Sequence, residues 1–178
     1  KDGKVKGWRD DEPRNQPANY GDPFNLSNHP VVGVTWYEAL AFTRWLTDYW
    51  YEQEILPKDW RVVLPSEAEW EKAARGGLKI PQKHKIQSTS DELSFYPNIA
   101  LRNNSLPNRK FPWGKSFDPD KANIGTVDLN TSAPGCFSNG SSPYGVIDMS
   151  GNVWEWTSSI KKQYPYDPSD GRENLKAD

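Results

Sequence analysis

The chain has 178 residues, 22 of them basic and 24 acidic, a net charge of −2 and an apolar fraction of only 35%. With both signs of charge mixed along it, there is no basic footprint for nucleic acid or for an anionic membrane surface, and neither is expected as a partner. No apolar run approaches the roughly 18 residues of a membrane span, and the single cysteine, Cys136, excludes an intrachain disulfide.

The length fits one domain carrying a surface insertion at about 78–110. Fifteen Pro and 13 Gly predict much irregular structure, and 9 Trp, 8 Tyr and 6 Phe predict a core built from aromatic rings. No signal sequence is present, and the chain is expected to be soluble and cytoplasmic.

Residues 1–30 are polar, with isolated rings at Trp8, Tyr20 and Phe24, and read as a long pinned loop. A short strand is expected at 31–34, where His29-Pro30 fixes its start. Thr35 and Glu38 then form a capping box, Thr35 capping and Glu38 reaching back. The helix they open runs to about Tyr51, with Trp36, Ala39, Leu40, Thr43, Leu46 and Trp50 as its buried stripe. A second strand is expected at 60–64, ending at Pro65. Ser66 and Glu69 repeat the capping box, and the helix stops after Arg75 at Gly76-Gly77.

Residues 111–114, Phe-Pro-Trp-Gly, mark a return to the core after the polar insertion. The stretch 144–156, Tyr-Gly-Val-Ile-Asp-Met-Ser-Gly-Asn-Val-Trp-Glu-Trp, is too glycine-punctuated for a helix and too aromatic for a solvated loop. It reads as a buried, bent strand segment. Asp148 and Glu155, with the carbonyls of Gly151 and Val153, supply four oxygens to a chain that doubles back at Gly151, a donor set that suits calcium. The same residues also suit a tight corner in which the carboxylates accept backbone N–H bonds. Asn123, the Ile124 carbonyl, Asp128 and Asn130 make a second oxygen-only set, equally compatible with an Asx turn. Cys136 has no His or Cys at a spacing that supports zinc or a nucleophile, and is expected to be a small buried hydrophobe.

Six motifs then occur in a characteristic order: 29–39, 61–71, Arg75-Gly76-Gly77, 111–114, 122–124 and 144–156. Together they resemble the formylglycine-generating enzyme, or sulfatase-modifying factor, superfamily over roughly residues 28–160. The resemblance implies an α+β fold of the C-type lectin kind, with two helices, short twisted strands and much irregular structure. It implies structural calcium at Asp148, Gly151, Val153 and Glu155, with Asn123 and Ile124 opening a second site that Asp128 and Asn130 complete. Trp154 matches a tryptophan of the family's active-site region. The family's copper-binding cysteine pair belongs to a later motif, so the sequence supplies no catalytic residue, and copper is expected only if those cysteines lie beyond Asp178.

The domain is accordingly expected to be incomplete and to associate with the C-terminal remainder of its polypeptide or with a second fragment. Three functions follow from the resemblance. The favoured one is a non-catalytic scaffold for a peptide or protein ligand, as in variable proteins diversified by retroelements. The others are part of a copper-dependent oxidase that converts a sulfatase cysteine to formylglycine, and a non-haem iron sulfoxide synthase.

Overall fold

The computed structural model describes residues 16–83, 99–124 and 130–174, together with the backbone of two short strands, β1 (Val5–Lys6) and β2 (Pro13–Arg14). These strands pair antiparallel. Helix α1 spans Trp36–Glu52 and helix α2 spans Glu67–Arg75. Strands β3 (Lys79–Pro81) and β4 (Leu101–Asn103) form a second antiparallel pair in which Ile80 faces Arg102. Two helices, small two-stranded sheets and abundant irregular chain make this an α+β fold.

Both capping boxes are present. Thr35 Oγ1 accepts from the Glu38 N–H at 3.2 Å while Glu38 Oε2 accepts from the Thr35 N–H at 2.7 Å. The same exchange joins Ser66 and Glu69. Gly76 ends α2 with φ +75, and a Cβ there would lie 2.8 Å from the Ile80 side chain, so this turn needs glycine for its backbone and for its packing.

The strands expected at 31–34 and 60–64 do not form. Neither segment carries a ladder: Gly33 accepts a single main-chain bond from Ala18, and side chains take other backbone groups. The Val34 carbonyl accepts from the Trp156 indole N–H at 2.9 Å, and the Val62 N–H donates to Thr47 Oγ1 at 2.9 Å. Apolar runs predicted these strands, but a run of β-branched residues makes a strand only where a second main chain lies alongside.

The core also differs from expectation. The buried apolar residues among those described are Ala74, Ile80, Ala122 and Met149, joined by Thr35, Thr43, Thr47, Asn104, Arg109 and Arg172. None of the described tryptophans is among them. Each indole carries an N–H that needs a partner, and here the partners are carbonyls or carboxylates near the surface: Trp36 to the Thr157 carbonyl, Trp113 to that of Ser116, Trp70 to Glu155. These three rings are therefore held half in and half out, while Trp45, Trp60, Trp154 and Trp156 are exposed. Of the expected α1 stripe Thr43 is buried, Trp36, Ala39, Leu40, Leu46 and Trp50 are half-buried, and Thr47 joins from outside the prediction. Phe42, Trp45 and Tyr49 form an exposed ladder of rings along the helix.

Residues 78–110, the expected insertion, are anchored at both ends. Ile80 is buried, and Asn104 Nδ2 donates to the Gly77 carbonyl at 2.8 Å. Arg109 is buried with no carboxylate partner among the described residues; its guanidinium donates to the carbonyls of Leu106 and Pro112 and to Asn104 Oδ1. Its burial pulls its pKa below the usual arginine value.

Candidate functional site

The stretch 144–156 is a chain of tight turns, and the expected strand is absent from it. Four positive-φ stations shape it: Gly145 at φ +81, Asp148 at +54, Gly151 at +87 and Asn152 at +66. Asp and Asn tolerate this left-handed region better than other side chains do. Only glycine fits at 151, where a Cβ would stand 2.3 Å from the Asn123 carbonyl oxygen. That close approach lets the Asn152 N–H donate to the same carbonyl at 2.9 Å. Asn152 also exchanges two bonds with Ser132, its Oδ1 accepting from the Ser132 N–H and its Nδ2 donating to the Ser132 carbonyl. Asn123 Nδ2 reaches the Asn130 carbonyl at 2.8 Å.

The two oxygen sets read from the sequence are thus neighbours. Asn123, Ile124, Asp148, Gly151, Val153, Trp154 and Glu155 all line one open cleft of about 1350 Å³. Asn130 is tied to it through Asn123, and Asp128 lies outside the described residues. Asp148 Oδ2 accepts the Gly135 N–H at 3.1 Å, Glu155 Oε2 accepts the Trp70 indole N–H at 2.5 Å, and the Gly151 carbonyl accepts the Val153 N–H. Among the described residues there is no group of three His, Cys, Asp or Glu side chains that could hold a metal ion. Trp154, expected inside the motif's buried surface, is 101% exposed.

Segment 156–159 clamps this motif to the starts of both helices. The Trp156 and Trp36 indoles donate to the Val34 and Thr157 carbonyls, the Ser158 N–H to the Pro65 carbonyl, and the Glu67 N–H to Ser159 Oγ.

The far wall of the cleft comes from residues the sequence did not single out for a site: Glu67, Trp70, Lys161, Lys162 and Tyr164. The tail that carries Tyr164 is held by Arg172, whose side chain has no exposed surface. Its guanidinium donates to both Asp170 oxygens and to the Gln163 carbonyl, stacks over the Tyr166 ring and stands 3.5 Å from Glu67 Oε2. The Arg172 bonds hold the Asp170 carboxyl down at about 2. Tyr166 donates to Glu173, which pushes its phenol up to about 12, and a bond to Glu67 raises that of Tyr164. A single Asp-Gly-Arg turn in a polar tail gave little warning of this. Cys136, expected to be buried, is exposed, because the Pro134-Gly135 turn is held by Asp148 at its Gly135 N–H and leaves the next side chain outside.

The sulfatase-modifying factor enzyme 1-like domain family matches the chain over residues 2–176. The chain belongs to that family. This sulfatase-modifying factor-like domain is 29% identical to the mouse formylglycine-generating enzyme over 84% of its own length and 34% of the enzyme's. It is 31% identical to the bovine inactive C-alpha-formylglycine-generating enzyme 2, covering 81% of the domain and 38% of that protein. Against a serine/threonine-protein kinase, pkn1, of Chlamydia pneumoniae it is 33% identical over 79% of its length and 15% of the kinase's. The domain thus spans well under half the length of these relatives, one of which is named as an enzyme and another as inactive. No helix among its described residues is long and apolar enough to cross a membrane.

Proposed function

We propose that this sulfatase-modifying factor-like domain is a ligand-binding scaffold that takes a peptide or protein segment across the cleft bordered by Trp154. The observation that carries this reading is the combination of a fully exposed tryptophan with an open cleft whose walls hold Trp70, Tyr164 and Ile124. Exposed aromatic anchors beside a concavity are the features that concentrate binding energy in protein interfaces. The similarity to an inactive family member supports a non-catalytic role, and the C-type lectin architecture is the scaffold we assign to it.

Similarity to the mouse enzyme keeps a second reading in play, in which the parent protein is the copper-dependent oxidase. One thiol in 178 residues does not make the cysteine pair that copper would need, so residues 1–178 do not fit that group and no step is derived through it. For the loop at 144–156 we propose calcium. Its donors are of the right chemistry, because Asp148 and Glu155 each keep one carboxylate oxygen free of hydrogen bonds among the described residues, and the Val153 carbonyl is free as well. An ion held there would tie the Asn123 loop to the motif and serve the fold.

Random peptides displayed on phage and selected on the domain test the scaffold reading. Selected binders are expected to weaken at least tenfold on Trp154→Ala, from the roughly 2 kcal/mol that a central aromatic anchor contributes. Failure to obtain any Trp154-dependent binder would sink the idea. So would formation of an aldehyde when residues 1–178, loaded with cuprous ion, meet a cysteine-containing sulfatase peptide in air.

A further inference from the structure

Two of the described arginines are buried, Arg109 and Arg172, and their surroundings differ. Arg172 faces two carboxylates, those of Asp170 and Glu67. Arg109, only 8% exposed, faces none among the described residues, and donates to two carbonyls and the Asn104 amide oxygen. A guanidinium carries five N–H donors, so two of them, one on each terminal nitrogen, have no acceptor among the described residues. Burial first, and then the like charge of Arg102, lowers the pKa of this side chain. A charge taken out of water without a counter-charge is costly, and buried charges are ordinarily paired.

Arg109 lines a pocket of about 620 Å³ bordered by α2 and residues 108–112, together with Arg75, Lys110, Glu67 and Glu71. Both carboxylates there are already engaged, Glu71 by Arg75 Nη1 and Glu67 by the Tyr164 hydroxyl and Arg172. Arg75 Nε is itself buried with no hydrogen-bond partner, and the exposed Lys110 adds a third cation to the lining. Two guanidiniums with unused donors therefore border one space. Glu67, Trp70, Met149, Ser150 and Tyr164 line both this pocket and the large cleft, so a ligand in one can reach the other.

The planar fork of a guanidinium matches the paired oxygens of a carboxylate or a phosphate. We propose that this pocket is an oxyanion site in which Arg109 and Arg75 take a carboxylate or phosphate group, with Lys110 adding charge. The site itself stands on the unpaired arginines. Its occupant rests on the reading of the large cleft as a peptide site, and is an acidic side chain of that peptide. Trp154 then anchors the ligand, and the pocket selects for Asp or Glu within it.

Inorganic phosphate probes the site alone. In proton–nitrogen correlation spectra of the guanidinium Nε–H groups, at constant ionic strength, the Arg75 and Arg109 signals are expected to shift saturably with phosphate while that of Arg172 stays. Arg75→Gln should raise the phosphate midpoint at least fivefold, read on the Arg109 signal, with the Arg172 signal reporting an intact fold. No saturable shift at Arg109, an equal shift at Arg172, or an unchanged midpoint in Arg75→Gln overturns the site. Phage-selected peptides then test the source of the oxyanion. Changing their acidic residue to its amide should weaken binding at least tenfold on the parent protein and at most threefold on Arg75→Gln. Binders indifferent to that change overturn the acidic peptide as occupant and leave a free anion. If Trp154-dependent peptides are selected but phosphate does not bind, the oxyanion site falls and the scaffold reading stands; phosphate binding with no selectable peptide gives the reverse.

Discussion

Gly151 is the residue on which the cleft's geometry turns. A Cβ there meets the Asn123 carbonyl oxygen at 2.3 Å and the Ile124 side chain at 2.7 Å, in a backbone conformation that already disfavours any side chain. Gly151→Ala is expected to cost at least ~2 kcal/mol, the sum of left-handed strain and forced overpacking, measurable as a lowered midpoint in urea. Gly135→Ala is the contrasting case. Its φ of +86 is as strained, but its nearest neighbour is the end of the Ile147 side chain at 3.5 Å, so it should lose less. At this scale the sequence was legible where chemistry is local: the run at 144–156 announced its glycine bends and its acids. It did not announce that Trp154 stands outside, because exposure depends on what lies opposite.

Asp170 makes a prediction of a different kind. Its folded pKa, held at about 2 by Arg172, lies below the ordinary value of 3.8. A depressed carboxyl stabilises the fold above its unfolded pKa and loses that contribution as pH falls from about 4 towards 2. Asp170→Asn should therefore melt lower than the parent protein at pH 6, and the two melting temperatures should converge near pH 2. A constant gap across that window would show that Arg172 does not depend on the Asp170 charge.

Among the elements, the two helices were readable almost to the residue, because a capping box is a local bargain between a hydroxyl and a carboxylate three residues on. Thr35→Ala and Ser66→Ala should each cost about 1 kcal/mol, a fall of roughly 2–4 °C in Tm for a chain of this size. Glu69 has its pKa lowered by the Ser66 backbone bond, so the α2 cap is complete above the ordinary glutamate range and is lost as pH falls through it. The runs at 31–34 and 60–64 misled for the opposite reason. Nothing within five residues reveals whether a pairing strand lies alongside, and here the Trp156 indole and the Thr47 hydroxyl take the places of one.

Across the whole molecule, Asn123 and Ile124 of the first predicted oxygen-rich segment came together with the second at 148–155, joined by the Asn152 N–H and the Asn123 carbonyl. Calcium bound between them would act on the native state alone and raise its stability by mass action. Thermal melting with calcium and then with a chelator should differ for the parent protein, and the difference should vanish in Asp148→Ala with Glu155→Ala. Superimposed curves for the parent would leave the loop as a corner held by hydrogen bonds only. The aromatic surplus, which pointed to a core, is spent instead on rings at the boundary or outside it; for Trp36, Trp70 and Trp113 the indole N–H bonds hold them there, and composition does not reveal it.

The clamp at 156–159 sets an order of events for a nascent chain. Its bonds to Val34 and Trp36 close loops of more than a hundred residues, at separations of 122 and 121. Each helix can nucleate on its own cap soon after it leaves the ribosome, and Thr47 can already bond Val62, but the bonds that join the starts of both helices wait for residues 156–159. Chains stalled short of residue 156 should thus carry two capped helices whose starts are unclamped, with an open aromatic surface, a state that invites chaperones. The segment at 156–159 thus joins parts of the chain that are made long before it.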